Sequence, residues 1–471
     1  MPTVADLAAE LKSLKDRAAG ADRRQPLIEE LVAPGETPAT VTDRICEIVL
    51  RPHTPLWWWG SFGFALALLG VGAISVAWLF ANGIAVFGND WPVMWGFPIL
   101  LYVWWIAIAS GGTFVSALFF LTKSEWRTST NRIAETMMVC AIASAGVYPI
   151  LHLGRPWFAY WLFPYPNTMQ LWPQWRSPLV WDFYALFTYV CTGVMFWYLG
   201  LIPDLASVRD RATTRFKQVF YGVLAMGFRG TSRQWRHFRA AYGVLAAIMA
   251  PLVVSVHSIV GLDFAGGQSP GWHSTQFPPF FVFGALLSGL AMVLVLLIAL
   301  RSLYRLGMYI TARHFDVFGK LILASSIALG YSYVMDAFST FYGPEQADRT
   351  MFIERLFGIY WPVYWGTILL NITIPQLLWF RRIRLNQPAL VLISFSAMIG
   401  MIFERYEIVV TSLHRPRLPT AWGDFFGTIW DWSLFAGTIG LFLALFLLAI
   451  RLLPVVSIAE MRKLLATGQS S

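Results

Sequence analysis

Two imidazoles and a set of carboxylates sit where an apolar chain has little reason to keep them. His152 ends the run Ile150-Leu151-His152-Leu153-Gly154-Arg155-Pro156-Trp157, and Asp182 opens the next apolar run in Trp181-Asp182-Phe183. His257 lies near the end of a later run, and Asp263 follows it in Gly261-Leu262-Asp263-Phe264. Further on come Asp336, the pair Glu354 and Arg355, and the cluster Glu404, Arg405 and Glu407. Each has a plain structural explanation: His152 as a helix-end ligand for a carbonyl, Asp182 as a helix N-cap, Asp263 as a turn former, Glu404 with Arg405 as a locking ion pair. Asp336 resists such an account because it lies a turn or more inside its run. Glu404 and Glu407 fall on one helical face. Taken together these groups suit proton exchange, because an imidazole beside a carboxylate can bond two hydroxyls and take up their protons.

The elements that must position these groups are read from composition. Only 13% of the 471 residues are charged and 57% are hydrophobic, and the mean hydropathy is +0.57. Roughly 25% charged residues are usual in a soluble domain, so a soluble enzyme and a disordered chain are both excluded. Ten apolar segments of membrane-crossing length occur: Leu56–Phe80, Met94–Leu121, Arg132–Leu151, Val180–Ile202, Phe238–Val260, Phe280–Leu300, Phe318–Phe341, Ile359–Trp379, Pro388–Val410 and Ile429–Leu453. Trp and Tyr crowd their ends, as interfacial belts do. The expected fold is an all-α integral membrane protein of ten transmembrane helices, arranged as two four-helix bundles plus peripheral helices.

The segments divide the chain into 1–55, a tail whose Val4–Leu14 stretch repeats leucine at helical spacing; 56–93, the first span and its loop; 94–279 and 280–428, the two bundles; and 429–471, the last span and tail. With the N-terminus placed inside, 28 of the 35 basic residues fall in inner segments. This bias implies that both termini lie in the cytoplasm. It also accounts for much of the net charge of +9, so nucleic acid is not needed as a partner; the lipid membrane is. The ionisable groups named above then share the outer face, and the inner halves of most spans lack them.

A quinol fits such a face. It loses two protons with two electrons and needs an apolar, aromatic cleft open to lipid. His152 and Asp182 are the expected catalytic pair, with His257 and Asp263 serving the second hydroxyl or the proton exit. Redox cofactors are not expected in this chain. Its three cysteines are too few for an iron–sulfur cluster, and no Cys-x-x-Cys-His or dinucleotide fingerprint occurs. A bis-histidine dihaem arrangement needs four membrane histidines; a single haem between His152 and His257 is the alternative the residues leave open. Ser110-Gly111-Gly112-Thr113 reads as a helix-packing run. The aromatic and Pro-rich segment Trp157 to Pro178 suits docking of a partner.

Gly111-Gly112-Thr113, His152-Leu153-Gly154-Arg155-Pro156, Trp181-Asp182-Phe183 and Tyr331-Ser332-Tyr333-Val334-Met335-Asp336 resemble the NrfD/PsrC membrane subunits of quinone-linked reductases. Within them the chain is most similar to the ActC type of the bacterial alternative complex III. The resemblance implies two four-helix bundles; no haem, flavin, iron–sulfur cluster or metal in this chain; and menaquinol or another quinol as substrate. It places quinol contacts at His152, Arg155, Asp182, His257 and Asp263. Proton routes would involve Asp336, Glu354, Glu404, Arg405 and Glu407. Implied partners are a periplasmic iron–sulfur subunit, multihaem cytochrome c subunits and a paralogous NrfD-like membrane subunit. Two rivals stand beside this reading: a non-catalytic membrane anchor or proton-channel subunit, and a secondary transporter, which would carry its polar groups at the bilayer midplane.

Overall fold

The computed structural model describes residues 31–162 and 175–469. The Val4–Leu14 stretch and most of the aromatic segment after Trp157 lie outside the described residues. Fourteen helices organise the remainder: α1 Pro38–Leu50, α2 Leu56–Asn82, α3 Phe97–Leu121, α4 Asn131–His152, α5 Pro178–Arg211, α6 Arg215–Leu224, α7 Ser232–Ala265, α8 Phe277–Leu303, α9 Ala312–Tyr342, α10 Gln346–Phe357, α11 Trp361–Ile368, α12 Gln387–Thr411, α13 Ile429–Leu452 and α14 Ile458–Gln469. A helix of 27 residues such as α8 is about 40 Å long, more than the roughly 30 Å hydrocarbon core it must cross.

Among the described residues nine helices are long and apolar enough to span a membrane: α2 to α5, α7 to α9, α12 and α13. The chain is a multi-pass, all-α membrane protein, but the expected count of ten is not reached by unbroken helices. The segment 359–379 is a broken one. Here α11 runs into a π turn at Leu369–Thr373 and then 3-10 turns at Ile374–Trp379. Pro375 explains the break, since it has no N–H to donate and its ring crowds the carbonyl four residues back. That carbonyl belongs to Asn371, and the Ser326 hydroxyl of α9 donates to it at 2.6 Å. The neighbouring helix thus supplies the bond that proline removed.

Helices α3, α4, α5 and α7 pack as one bundle, and α8, α9, α11 and α12 as a second. The seam between them is α8 against α3 and α7, while α2 pairs with α13 alongside, and α13 rests on α4. Glycine sets the two closest crossings. A Cβ on Gly111 of α3 would strike the Gly289 backbone of α8, and one on Gly72 of α2 would strike Gly437 of α13. The small-residue run of α3 is therefore a packing surface, as expected. Its two polar members also reach sideways, Ser110 to His257 and Thr113 to Tyr189.

The spans alternate in direction, which defines two ends. One carries the finish of α4 and the start of α5 and is called the Asp182 end. The opposite one is the Arg132 end. Here an expectation fails: the interior near the Arg132 end is not free of ionisable groups. Helix α5 continues past Ile202 to Arg211 and buries Asp204, which shares Arg132 of α4 with Glu135. The short helices α1 and α14 close over this end, and apolar Ile458, Met461, Leu464 and Leu465 of α14 face inward.

Candidate functional site

At the Asp182 end Asp182 is buried just past the first turn of α5, and the Tyr102 hydroxyl of α3 donates to its Oδ2 at 3.1 Å. Asp263, at the end of α7, lies near enough for its charge to act on both Asp182 and Tyr102. Two carboxylates and a phenol from three helices thus share one site. His152 ends α4 at the same end of the bundle, yet no hydrogen bond or ion pair joins it to Asp182. His152 and Asp182 thus share one end of the bundle without a direct bond, and at that end Asp182 accepts from Tyr102 with Asp263 within electrostatic reach.

Three buried atoms of this region have no hydrogen-bonding partner: His152 Nδ1, Asp182 Oδ1 and Asp263 Oδ1. Buried polar atoms are nearly always paired, so such orphans call for an explanation. Three at one end of a bundle describe a place where a ligand with hydroxyl donors would complete the bonding.

Deeper in the molecule His257 is fully buried, with Nε2 2.6 Å from Ser110 Oγ and Nδ1 unpaired. The hydrogen-bond partner of its Nε2 is a hydroxyl of the packing run. Arg405 of α12 is equally buried, lies over the Phe281 ring of α8 at 4.2 Å, and pairs with Glu404 at 3.0 Å. None of its three nitrogens makes a well-aligned hydrogen bond.

In the second bundle Tyr333 donates to Glu404 and accepts from Asn371 Nδ2 at 3.1 Å. Arg355, almost wholly buried, holds Asp336 at 3.4 Å and Glu407 at 3.6 Å. A π turn at Glu407–Thr411 places Glu407 in this group; such turns recur where a side chain must be re-aimed. Asp336, Glu404 and Glu407 line one cavity of about 20 Å³, room for about one water. The shared face expected for Glu404 and Glu407 is present.

Two expected residues stand apart. Arg155 is exposed. Glu354 is half-buried, folds over Gly358 at the end of its own helix, and makes no ion pair. Three members of these groups are not among the expected site residues: Tyr102, Tyr333 and Asn371. A signal exists for two of them, since Tyr102 and Asn371 are polar interruptions of apolar runs. A separate group, His273 with Glu345 and Asp348, brings one ring nitrogen and two carboxylates within 4.8 Å of one another. Arg417 and the Gly271 amide already bond the two acids, so the group ties loops together at the Asp182 end.

Comparisons with known proteins agree with this architecture. The family model described as polysulphide reductase, NrfD, matches residues 85–416, a range that contains every site residue named above. A dimethyl sulfoxide reductase membrane subunit of Halobacterium salinarum is 28% identical over 239 residues, 50% of each chain. The chain thus spans about half the length of that relative. A selenate reductase subunit of Mesobacillus selenatarsenatis is 22% identical over 416 residues, 82% of this chain and 91% of its own.

Proposed function

The chain belongs to the polysulphide reductase NrfD family, and we propose that within it the protein is the quinol-oxidising membrane subunit of a multisubunit oxidoreductase. The observation that carries the reading is the set of orphaned buried atoms His152 Nδ1, Asp182 Oδ1 and Asp263 Oδ1 beside Tyr102. A quinol hydroxyl donates to Asp182 or Asp263, and His152 receives the other. As two electrons leave the ring, the two O–H bonds break and their protons pass to these acceptors. They leave from the same end of the molecule, while the ring departs as quinone.

The electrons need an acceptor within reach, and we assign it to an iron–sulfur subunit docked at the Asp182 end. That end carries exposed Trp157, Trp175 and Trp181, apolar surface suited to a partner. Menaquinol is the proposed quinol, oriented by N-in insertion in a bacterial inner membrane. In the alternative complex III assignment, the assembly also holds multihaem cytochrome c subunits and a paralogous NrfD-like membrane protein. A reductase assignment, in the sense of the two relatives' names, would keep the same site. Proton translocation would route through the Tyr333–Glu404 and Arg355–Asp336–Glu407 groups.

The test uses the complex purified from its native membrane with menaquinol as donor. Asp182→Asn and His152→Ala are each expected to assemble with all partner subunits and to lose quinol:acceptor activity. Full activity in both assembled variants would leave only the anchoring role.

A further inference from the structure

At the Arg132 end, away from the proposed quinol site, a cavity of about 520 Å³ opens between α5, α7 and α14. Its volume falls within the usual ligand-pocket range of roughly 300–1,000 Å³. One wall is aromatic: Phe120, Trp235 and Phe238. Another part of the lining is cationic, from Arg239 on α7 and from Arg462 and Lys463 on α14, all three exposed. Arg239 is oriented by its Nε, which donates to the Trp235 carbonyl at 3.3 Å. The lining has one acid, Glu460, and it is already engaged by Arg127 at 2.9 Å and Asn131 at 3.1 Å. Among the described lining residues the cations outnumber the acid, above an aromatic floor.

Its depth follows from the sequence of α7. The helix begins with Arg233, Arg236, His237 and Arg239 and turns apolar from Ala240 onward. Trp235 and Phe238 lie at that change, the level where aromatic residues meet lipid headgroups. Helix α14 is amphipathic in the matching sense, with its apolar side packed down and its cations beside the opening.

We infer that this cavity is a binding site for an anionic phospholipid. Arg239, Arg462 and Lys463 take the phosphodiester, and Phe120, Trp235 and Phe238 take the glycerol and the first acyl carbons. Cationic pockets between membrane helices are suited to such headgroups. A free phosphate would satisfy the cations and leave the aromatic floor bare, which is why the lipid is chosen. The inference does not depend on the quinol reading or on which leaflet the pocket faces.

The test takes the complete complex through a delipidating detergent wash, and then measures retained phospholipid by extraction and mass spectrometry. Wild type is expected to keep phosphatidylglycerol or cardiolipin. The R239Q/R462Q/K463Q variant is expected to keep several-fold less, with unchanged phosphatidylcholine when reconstituted in mixed vesicles. A phosphatidylglycerol with a photoreactive acyl chain near the headgroup gives a second reading on wild type alone: cross-links are expected at peptides containing Phe120 or Phe238. Equal retention in the variant, equal retention of phosphatidylcholine by wild type, release by millimolar inorganic phosphate, or cross-links confined to other surfaces would each overturn the inference.

Discussion

The two ends of the first bundle bury similar side chains in opposite ways. At the Arg132 end the charges pair with one another, and of their atoms only Arg132 Nε and Arg127 Nη1 are left without a hydrogen-bond partner among the described residues. Arg132 bonds Glu135 at 2.6 Å, Asp204 at 2.8 Å and the Gly200 carbonyl at 2.8 Å. Tyr242 donates to Glu135 at 2.8 Å, and the Ala459 amide donates to Asp204 at 2.9 Å. The network ties α4, α5 and α7 to the start of α14. At the Asp182 end two acids and an imidazole keep open valences, and Tyr102 is the single neighbour that bonds Asp182. A closed network spends its polar groups on structure; an open one retains them for a ligand.

Removing one side of the closed network should have the largest effect on stability. Arg132→Ala leaves Glu135 and Asp204 buried without their cation, and breaking such a set typically costs about 3–5 kcal/mol. The variant is expected to be nearly absent from the membrane, measured by immunoblot of the membrane fraction and by thermal unfolding of what remains. A normally accumulating, equally stable variant would contradict the contrast between the two ends.

Asp182→Asn should do the reverse. The amide keeps the shape and removes the proton acceptor, so accumulation and unfolding temperature stay within error of wild type. Activity falls by about 10²-fold or more, in line with loss of a positioned acid–base group. Stability loss comparable to that of Arg132→Ala would make the Asp182 end structural too. Tyr102→Phe is the finer cut. It removes one hydrogen bond to a carboxylate, worth about 1.5 kcal/mol, and is expected to lower turnover roughly tenfold with little change in accumulation.

A smaller effect separates packing from chemistry in the middle of α3. Gly111→Ala adds a methyl where α3 and α8 touch backbone to backbone, and overpacking of this kind costs about 1–3 kcal/mol. Unfolding should shift downward while the activity of assembled protein per quinol site is retained. A selective loss of activity would instead tie the Ser110–His257 contact, one residue away, to catalysis.

Much of this contrast was legible in the sequence, and the limits have physical causes. Apolar runs of membrane length reveal helices because the bilayer fixes their span. Pro375 in such a run marks a break, although its depth depends on whether a neighbour such as Ser326 rescues the freed carbonyl. The acids at Asp182 and Asp263 stood out as polar groups at the ends of apolar runs. The bond from Tyr102 to Asp182 did not, because a tyrosine in a span is equally at home as an interfacial residue. Asp204 was missed for a related reason: with an apolar span taken to end at Ile202, everything beyond reads as loop, and only the continuation of α5 buries it. The partner of His257 was hidden because a serine in a small-residue run reads as packing, and Ser110 serves both purposes.

The loop after α12 offers a control for reading unpaired imidazoles as ligand sites. His414 is 1% exposed, its Nδ1 is 2.8 Å from the Thr411 carbonyl, and its ring meets Tyr360 edge-on at 4.8 Å. Its Nε2 has no partner among the described residues, as with His152 Nδ1, but here the ring packs edge-on against Tyr360. Burial lowers its pKa from 6.5 to about 4. Between those two values the unfolded chain binds a proton that the folded chain refuses. The contribution is therefore complete above pH 6.5 and is lost as pH falls toward 4, by up to about 1.4 kcal/mol per unit. His414→Gln should flatten that slope without changing quinol oxidation at neutral pH. Comparison of unfolding midpoints for variant and wild type at pH 4.5 and 7.5 measures it. Parallel pH curves would mean that the ring titrates freely, and a loss of neutral-pH activity would move His414 into the site.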